Sequence, residues 1–216
     1  MREEWLDRWA TGRTGWHEAD GNAGLKSHWP ADSKAKRVLV PLCGKSPDLT
    51  WLASRGHEVV GVELSEKAIH EFFADHDFAY RVESNGTLDC YSANDVPISI
   101  FCGDFFDFDA AQFDALYDRG ALVALSEPLR RVYVEHTQKL LSSDALRLII
   151  TLEYDQQIVQ GPPFSVWPAE ILAYWPDLIR AEVTDDLENC PPKFRAAGLT
   201  EIQEVVWVSG GSTDSR

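Results

Sequence analysis

The stretch that most constrains the fold runs from Arg37 to Glu63 and reads as strand, tight loop, helix and strand. Val38-Leu39-Val40 is a short apolar run, typical of a strand that is buried on both faces of a parallel sheet. Ser46 is placed to cap the helix that follows, and Gly56 is placed to end it in the left-handed conformation. His57 to Val62 then supplies a second strand. This unit predicts an α/β fold built on a parallel sheet.

Glu63 follows the second predicted strand directly. In an open α/β sheet, ligands bind outside the carboxyl ends of the strands. A carboxylate at the end of the second strand is the usual partner of ribose hydroxyls, because it can accept a hydrogen bond from each of them. The sequence therefore predicts a cofactor that contains a nucleoside.

The first loop of the unit narrows the choice of cofactor. Gly44-Lys45-Ser46 resembles the end of a phosphate-binding P-loop, but that motif requires glycine where this chain has Leu39. The dinucleotide fingerprint G-x-G-x-x-G fails as well, since Gly44 is the only glycine in the loop. Without a diphosphate cradle, NAD and FAD are poor candidates, and S-adenosylmethionine is the natural choice.

The remaining elements continue the alternation of strand and helix. Further strands are predicted at 98–102, 113–117 and 145–152, followed by two late strands near 179–188 and 199–208. The two late strands lie too close together for a helical crossover, so one of them must run antiparallel. Asn85-Gly86 is a strong two-residue turn signal and predicts a hairpin inserted at 79–97.

Together these elements predict a Rossmann-like, mostly parallel seven-stranded sheet with an antiparallel last strand and helices on both faces. Residues 1–208 are expected to form a single domain, within which residues 1–36 are an N-terminal helical lid or cap. The Gly- and Ser-rich residues 209–216 are expected to be a disordered tail.

The N-terminal region carries aromatic side chains in a helical pattern. Trp5 and Trp9 lie one turn apart on a predicted helix at 2–9. They either pack this helix on the domain or cover the cofactor and face a cation. His17, in the glycine-containing loop that follows, is interpreted as a loop hydrogen-bonder rather than a catalytic group.

Charge and cysteine content restrict the partners. Acidic side chains outnumber basic ones by 35 to 20, which gives a formal net charge of −15. A field of that sign repels phosphate backbones and anionic membranes, so neither nucleic acid nor a membrane is expected as a partner. The cysteines show no C-x-x-C or zinc-ligand spacing, so they are interpreted as reduced thiols and no metal is predicted. With no signal peptide or membrane-length apolar run, a cytoplasmic protein is expected.

Six segments, in this order and at this spacing, resemble the thiopurine S-methyltransferase family. They are Trp5-Leu-Asp-Arg-Trp9, Gly12-Arg-Thr-Gly-Trp16-His17, Pro41-Leu-Cys-Gly-Lys45, Gly56 to Glu66, Asp118-Arg119-Gly120-Ala121-Leu122 and Gly161-Pro162-Pro163-Phe164. The resemblance extends from Trp5 to about Trp207 and implies a class I methyltransferase fold. It further implies methylation of a thiol or selenol on a small molecule, with S-adenosylmethionine as donor, by a cytosolic and monomeric enzyme.

The resemblance also implies roles for individual residues. Those expected at the cofactor are Trp9, Leu42, Gly44, Glu63, Asp104, Phe105 and Arg119. Those expected at the substrate are Trp16, Arg119, Pro163 and Lys193. Trp16 stands where the family usually has phenylalanine, and Lys193 where it often has arginine. For Asp104 and Phe105 the alternative is a plain strand-to-loop turn, and for Pro163 a bare turn.

Arg119 is the catalytic candidate. The thiolate, rather than the thiol, is the nucleophile, and the charge of Arg119 would favour that anion without a dedicated base. The structural alternative for Arg119 is an ion pair with Asp118 or another local carboxylate.

Three other functions stay open at this level. A related core could methylate thiocyanate, hydrosulfide or halide, for which the bulky Trp16 would supply a tighter pocket. A NAD-dependent oxidoreductase is disfavoured by the single glycine of the first loop. A cofactor-binding module without catalytic activity is the third alternative.

Overall fold

The computed structural model describes residues 2–15, 17–31, 34 and 36–209. Trp16 and the predicted tail after 209 lie outside the described residues, whereas Ser209 is the last residue of a strand. In the described chain no helix is long and apolar enough to cross a membrane. The helices are α1 (Arg2–Ala10), α2 (Ala23–His28), α3 (Asp48–Ser54), α4 (Glu66–Asp75), α5 (Ala121–Ala124), α6 (Glu127–Leu140), α7 (Pro168–Tyr174) and α8 (Pro192–Ala196).

The strands join into one sheet whose central part is parallel. They are β1 (Arg37–Pro41), β2 (Glu58–Glu63), β3 (Tyr80–Asn85), β4 (Leu88–Ala93), β5 (Ile98–Cys102), β6 (Phe113–Arg119), β7 (Leu141–Glu153), β8 (Leu178–Asp185) and β9 (Gln203–Ser209). Their order is β3-β4-β5-β2-β1-β6-β7-β9-β8. Strands β5, β2, β1, β6 and β7 pair in parallel, whereas β9 is antiparallel to both β7 and β8. The predicted parallel α/β sheet with an antiparallel last strand is confirmed.

The strand count differs from the predicted seven, because the inserted hairpin joins the sheet. Across the described residues the sheet has nine strands. The hairpin lies where it was predicted, but its two turn residues are Gly86 and Thr87, one position later than expected. Strand β4 pairs antiparallel with β5 through Asp89 to Ser92. This pairing supplies hydrogen-bond partners for the edge of β5 that would otherwise stay open.

The strand–helix–strand unit at 37–63 forms as the sequence predicts. Helix α3 begins at Asp48, later than expected, and the Ser46 hydroxyl accepts the amide N–H of Asp48 at 3.2 Å. Gly56 has a φ of +86° and its N–H donates to the carbonyl of Ala53, while the N–H of His57 donates to that of Leu52. This left-handed ending turns the chain directly into β2.

The core has two layers, one on each face of the sheet. Val38 and Val40 of β1 face α2, α3 and α4, whereas Leu39 between them faces α5, α6 and α7. All three side chains are buried, because helices cover both faces. The carboxyl ends of the parallel strands are left as the open edge where a ligand can bind.

Gly61 sets how closely α3 approaches the sheet. A Cβ atom at this position of β2 would lie 2.7 Å from the Cys43 sulfur and 3.3 Å from a methyl group of Leu49. Both neighbours are themselves buried. The residue therefore has to be glycine so that the first loop and α3 can pack against β2.

We expect Gly61→Ala to lower the free energy of unfolding by about 1–3 kcal/mol, because the added methyl group overpacks the core. Urea denaturation measures this change. The matched control is Gly15→Ala, whose Cβ would meet nothing within 4 Å and which should change stability by less than about 0.5 kcal/mol. A Gly61→Ala protein as stable as the wild type would contradict the close packing.

Candidate active site

A cavity of about 340 Å³ lies at the carboxyl edge of β1, β2, β5 and β6. Every residue that the sequence placed at the cofactor lines it: Trp9, Leu42, Gly44, Glu63, Asp104, Phe105 and Arg119. These residues come from α1 and from the segments that follow four neighbouring strands. Most of the lining is apolar, and its charged side chains include Glu63, Asp104 and Arg119.

The Glu63 carboxylate joins two loops at this edge. One oxygen accepts the amide N–H of Gly44 at 2.9 Å, and the other accepts that of Ser65 at 2.7 Å. Burial raises the pKa of Glu63, and these amide hydrogen bonds partly oppose the rise. Each carboxylate oxygen has a second lone pair, so both can also accept hydroxyl groups from the cavity.

The first loop runs along the cavity in an unusual backbone conformation. Leu42 and Gly44 both have positive φ angles, of 48° and 54°. Such a conformation is strained for leucine and is found where surrounding structure enforces it, often at a ligand site. A Cβ atom on Gly44 would lie only 3.2 Å from the Trp9 ring, so Trp9 packs directly on this loop.

Helix α1 covers the cavity, and contacts among the described residues hold it there. Trp9 is buried on the first loop, the Lys67 ammonium donates to the Trp9 carbonyl at 2.9 Å, and Arg2 pairs with Asp104 at 3.3 Å. Trp5 is half-buried and also lines the cavity. The two tryptophans thus both pack α1 on the domain and border the cavity.

Asp104 and Phe105 form the turn after β5. One Asp104 oxygen accepts the N–H of Phe106 at 3.1 Å and caps a short 3₁₀ helix, while the other pairs with Arg2. The Phe105 ring is buried against Tyr133 and His136. The strand-to-loop turn, which was the alternative interpretation of Asp104 and Phe105, is present. Both residues nevertheless line the cavity.

A second, wider cavity of about 820 Å³ adjoins the first. The two share lining residues, which are Trp5, His17, Glu18, Arg119, Gly120 and Ala124. Pro163 and Lys193, which the sequence placed at the substrate, line only the second cavity. The geometry therefore separates the predicted residues into a cofactor group and a substrate group that meet at Arg119. The place of Trp16 stays a prediction, since it lies outside the described residues.

Arg119 ends β6 at this junction and pairs with the carboxylate of Glu18. Burial by itself acts against the charged guanidinium, but Glu18 and other nearby negative groups outweigh it and raise the pKa of Arg119. The ion pair that was the structural alternative is thus present, with Glu18 rather than Asp118. It does not remove Arg119 from the cavities, because the side chain lines both.

Asp118 faces the opposite side of the sheet and is fully buried. Its carboxylate accepts the amide N–H groups of Ala121 and Leu122 at 3.1 Å and the Tyr133 hydroxyl at 2.6 Å. Burial raises the pKa of Asp118 to about 6. These bonds join the end of β6 to α5 and α6, and so hold the backbone from which Arg119 projects.

Glu18 belongs to a polar chain that the sequence did not predict. The Asn22 side-chain amide donates to Glu18 at 3.3 Å and to Glu204 at 3.2 Å. Burial, together with the charge of Glu18, raises the pKa of Glu204 to about 7. Glu18 and Glu204 are 186 positions apart (18 to 204), so no local signal in the sequence could have joined them.

Lys193 and Pro163 form the far wall of the second cavity. The Lys193 ammonium donates to the Pro162 carbonyl at 2.9 Å, and the Tyr154 hydroxyl donates to the Pro163 carbonyl at 2.6 Å. Partial burial lowers the pKa of Lys193. The wall is therefore a braced segment of backbone in front of α8, rather than a bare turn.

His17 is a residue that the sequence did not select but that the structure places at the junction. It lines both cavities and is half-buried. Burial, with the nearby charge of Lys45, lowers the pKa of His17. The signal available in the sequence was that His17 belongs to one of the segments that resemble the family, Gly12 to His17. Among the described residues no group of three or more His, Cys, Asp and Glu side chains could hold a metal ion.

The sheet order and the cavity at its carboxyl edge define a class I, Rossmann-like methyltransferase fold. A solved structure of 1,6-didemethyltoxoflavin-N1-methyltransferase from Burkholderia thailandensis matches with a TM-score of 0.64. The match covers 96% of this chain and 86% of that one at 17% sequence identity. That protein was crystallised with 1,6-didemethyltoxoflavin and S-adenosylhomocysteine. At this identity the likeness establishes the fold.

Sequence comparison then identifies the family. The chain matches the family model described as Thiopurine S-methyltransferase (TPMT) over residues 1–212. The thiopurine S-methyltransferases of Pseudomonas putida and Pseudomonas fluorescens are 41% and 42% identical to it over 94% and 95% of its length, and 96% of each relative is covered. The chain belongs to the thiopurine S-methyltransferase family and is an S-adenosylmethionine-dependent methyltransferase. The resemblance noted in the sequence is confirmed.

We expect Tyr133→Phe to destabilise the protein more at pH 8 than at pH 5. Since the folded pKa of Asp118, about 6, lies above its ordinary value of 3.8, the stability that Asp118 contributes is present at low pH and lost as pH rises through 6. Removing the Tyr133 hydroxyl takes a hydrogen bond away from the ionised Asp118 carboxylate, which destabilises the folded protein further at high pH. The expected loss is about 1.5–3 kcal/mol at pH 8 and about 1 kcal/mol at pH 5, measured by urea denaturation.

Tyr174→Phe is the matched control for this prediction. The Tyr174 hydroxyl donates to Glu170 at 2.8 Å, and that carboxylate also pairs with Arg130. Removing the Tyr174 hydroxyl should lower the free energy of unfolding by the same amount at pH 5 and at pH 8. Equal losses for Tyr133→Phe at pH 5 and pH 8 would contradict the strained ionisation of Asp118.

Proposed function

We propose that this protein transfers the methyl group of S-adenosylmethionine to a thiol or selenol of a small aromatic or heterocyclic molecule. The observation that carries the proposal is the pair of adjoining cavities that share Arg119. The first has a buried acid for ribose, and the second, at about 820 Å³, is of a size suited to a small organic molecule. Relatives named thiopurine S-methyltransferase support the same reaction.

In the first cavity, Glu63 accepts the ribose hydroxyls with the lone pairs that the amide bonds leave unused. Leu42 and Phe105 supply apolar walls for the nucleoside, and the backbone of the turn at Asp104 is available to the adenine edge. Trp9 offers an aromatic face to the positively charged sulfonium. Helix α1 and the rest of residues 1–36 act as the lid of a single domain that spans residues 1–208.

The chemistry is an in-line displacement between two sulfur atoms. The site has to align the acceptor sulfur, the methyl group and the leaving sulfur, which is mainly a matter of positioning. A thiolate that meets a sulfonium loses charge on the way to products, so a dry pocket favours the reaction. Arg119, held at the junction by Glu18, favours the anionic acceptor. Pro163 and Lys193 bound the acceptor on its far side, and Trp16 is assigned to the same pocket.

The size of the second cavity argues against the small-anion alternative. Thiocyanate, hydrosulfide or halide would leave most of a space of about 820 Å³ unoccupied. Charge does not separate the two alternatives, because acidic residues such as Glu18 and Glu204 and basic residues such as Arg8, Arg13 and Lys193 all line this cavity. An organic acceptor fills the cavity better.

The cellular location is proposed from the charge of the chain and from the state of its cysteines. The four cysteines are all unpaired, as is usual in a reducing compartment. A formal charge of −15 opposes binding to nucleic acid. We therefore place the protein in the cytoplasm as a monomer that acts on a free small molecule.

The cofactor assignment is tested by calorimetric titration with S-adenosylmethionine, S-adenosylhomocysteine and NAD. The wild type should bind both S-adenosyl ligands and not NAD. Glu63→Ala should weaken S-adenosylmethionine binding at least about 10-fold, because two ribose hydrogen bonds are lost. Glu58→Ala, at the exposed opposite end of β2, should bind as the wild type does. Unchanged affinity of a folded Glu63→Ala protein would remove Glu63 from the ribose site.

The acceptor assignment is tested by methyl transfer to a panel of aromatic thiols, selenols and thiocyanate. Arg119→Ala should lower kcat at neutral pH by roughly 10²-fold with ionisable thiols, while the affinity for S-adenosylmethionine changes less. Arg195→Ala, on α8 and outside the lining of both cavities, is the matched control. Equal rates for Arg119→Ala and wild type across the pH range would contradict the role in thiolate stabilisation. Turnover of thiocyanate alone would replace the proposed acceptor.

A further inference from the structure

His17 lies at the junction of the two cavities. It is one of the few residues that line both cavities, together with Arg119 and Glu18. It lies in the segment that links α1 to α2, and its backbone N–H donates to the carbonyl of Thr14. A side chain at this junction can contact the acceptor sulfur and the cofactor's sulfonium region at the same time.

The imidazole of His17 is available for hydrogen bonding. Within the part of the chain that the structure describes, neither ring nitrogen of His17 has a hydrogen-bond partner. Other histidines are engaged: the ring of His28 bonds Glu182 at 2.7 Å, and that of His136 bonds the Phe108 carbonyl at 3.0 Å. A half-buried imidazole without a partner, facing two cavities, has the geometry to serve a ligand.

Burial and nearby positive charges lower the pKa of His17 and so favour its neutral form. Burial is the largest influence and lowers the pKa of His17 below its ordinary value of 6.5. Lys45, from the first loop, and Arg119, from β6, lower the pKa further, while Asp75 of α4 and Glu18 raise it. A neutral imidazole keeps one unprotonated nitrogen, which accepts a proton.

Arg119 alone leaves part of the reaction unexplained. Its charge is partly balanced by the ion pair with Glu18. An aromatic thiol of low pKa arrives as the thiolate, but an aliphatic thiol is mostly protonated at neutral pH and has to lose its proton. Two carboxylates close to this junction are already engaged: Glu18 pairs with Arg119 and accepts from Asn22, and Glu204 accepts from Asn22 and lines only the second cavity.

We propose that His17 accepts the proton of the acceptor thiol, an assignment that rests on the proposed S-methyltransfer. The S–H bond breaks and its proton moves to the free imidazole nitrogen, while the electron pair stays on sulfur. The thiolate forms a bond to the methyl carbon, and the carbon–sulfur bond of the sulfonium breaks with its electron pair going to the leaving sulfur. The imidazolium then releases the proton to water. Arg119 favours the anion, and His17 removes the proton.

The test compares two acceptors of similar shape and different acidity. 4-Nitrobenzenethiol is ionised at neutral pH, whereas phenylmethanethiol is protonated. His17→Asn and His17→Gln should lose about 10²-fold in kcat/KM with phenylmethanethiol, the usual contribution of a general base. With 4-nitrobenzenethiol they should react at close to the wild-type rate, which also shows that the variants are folded. His70→Asn, on the exposed face of α4, is the matched control and should leave both rates unchanged.

The pH dependence gives an independent readout. With phenylmethanethiol, kcat/KM of the wild type should fall as pH drops through the lowered pKa of His17, because an imidazolium cannot accept a proton. In the His17 variants the fall in kcat/KM at the pKa of His17 should be absent. Their kcat/KM should instead rise with pH as the thiol itself ionises. A merely structural role for His17 would leave the shape of the profile unchanged.

Two further results would contradict the assignment of His17 as the base, and the two can be told apart. Equal losses with both thiols, or no loss with either, would show that His17 does not act as a base although the proposed function holds. If the wild type binds S-adenosylmethionine but methylates neither thiol, the proposed acceptor class fails first and the assignment fails with it.

Discussion

The buried carboxylate of Glu63 is the contact on which the cofactor edge depends. It accepts one amide N–H from each of the loops that follow β1 and β2, at Gly44 and Ser65. Burying a carboxylate is unfavourable unless such donors replace water. The two donors compensate in part and also hold the loops at one separation, so the cavity is shaped before any ligand arrives. The same oxygens keep lone pairs that these amides do not use, so under the proposed function one residue serves both structure and binding.

A second constraint links the N-terminal region to the reactive centre. Glu18 lies in the segment between α1 and α2 and pairs with Arg119 at the end of β6, 101 positions away. Asn22 extends the contact to Glu204 in β9. Arg119, at the junction of the two cavities, is therefore in contact with the same N-terminal segment that supplies α1 to the wall of the first cavity.

The fold was largely predictable because its signals are local. Apolar runs and Gly56 mark β1, β2 and the end of the helix between them, and these elements lie where the sequence predicted them. The strand count was not predictable. Whether the hairpin at Asn85-Gly86 stands apart or extends the sheet depends on pairing between β4 and β5, which no local pattern specifies. Its turn also shifted by one residue, because the pairing register rather than the turn signal decides the strand ends.

The cofactor site was predictable for the same reason that the fold was. The carboxyl ends of parallel strands meet at one edge, so knowing that Glu63, Asp104 and Arg119 follow three such strands was enough to group them. The sequence by itself thus determined the fold class, the family and part of the lining of the first cavity. Only the tertiary structure decided the second cavity, the pairing of Arg119 with Glu18, and the position of His17. These depend on segments far apart in the chain, and their contacts follow from how the N-terminal segment and β9 pack on the sheet.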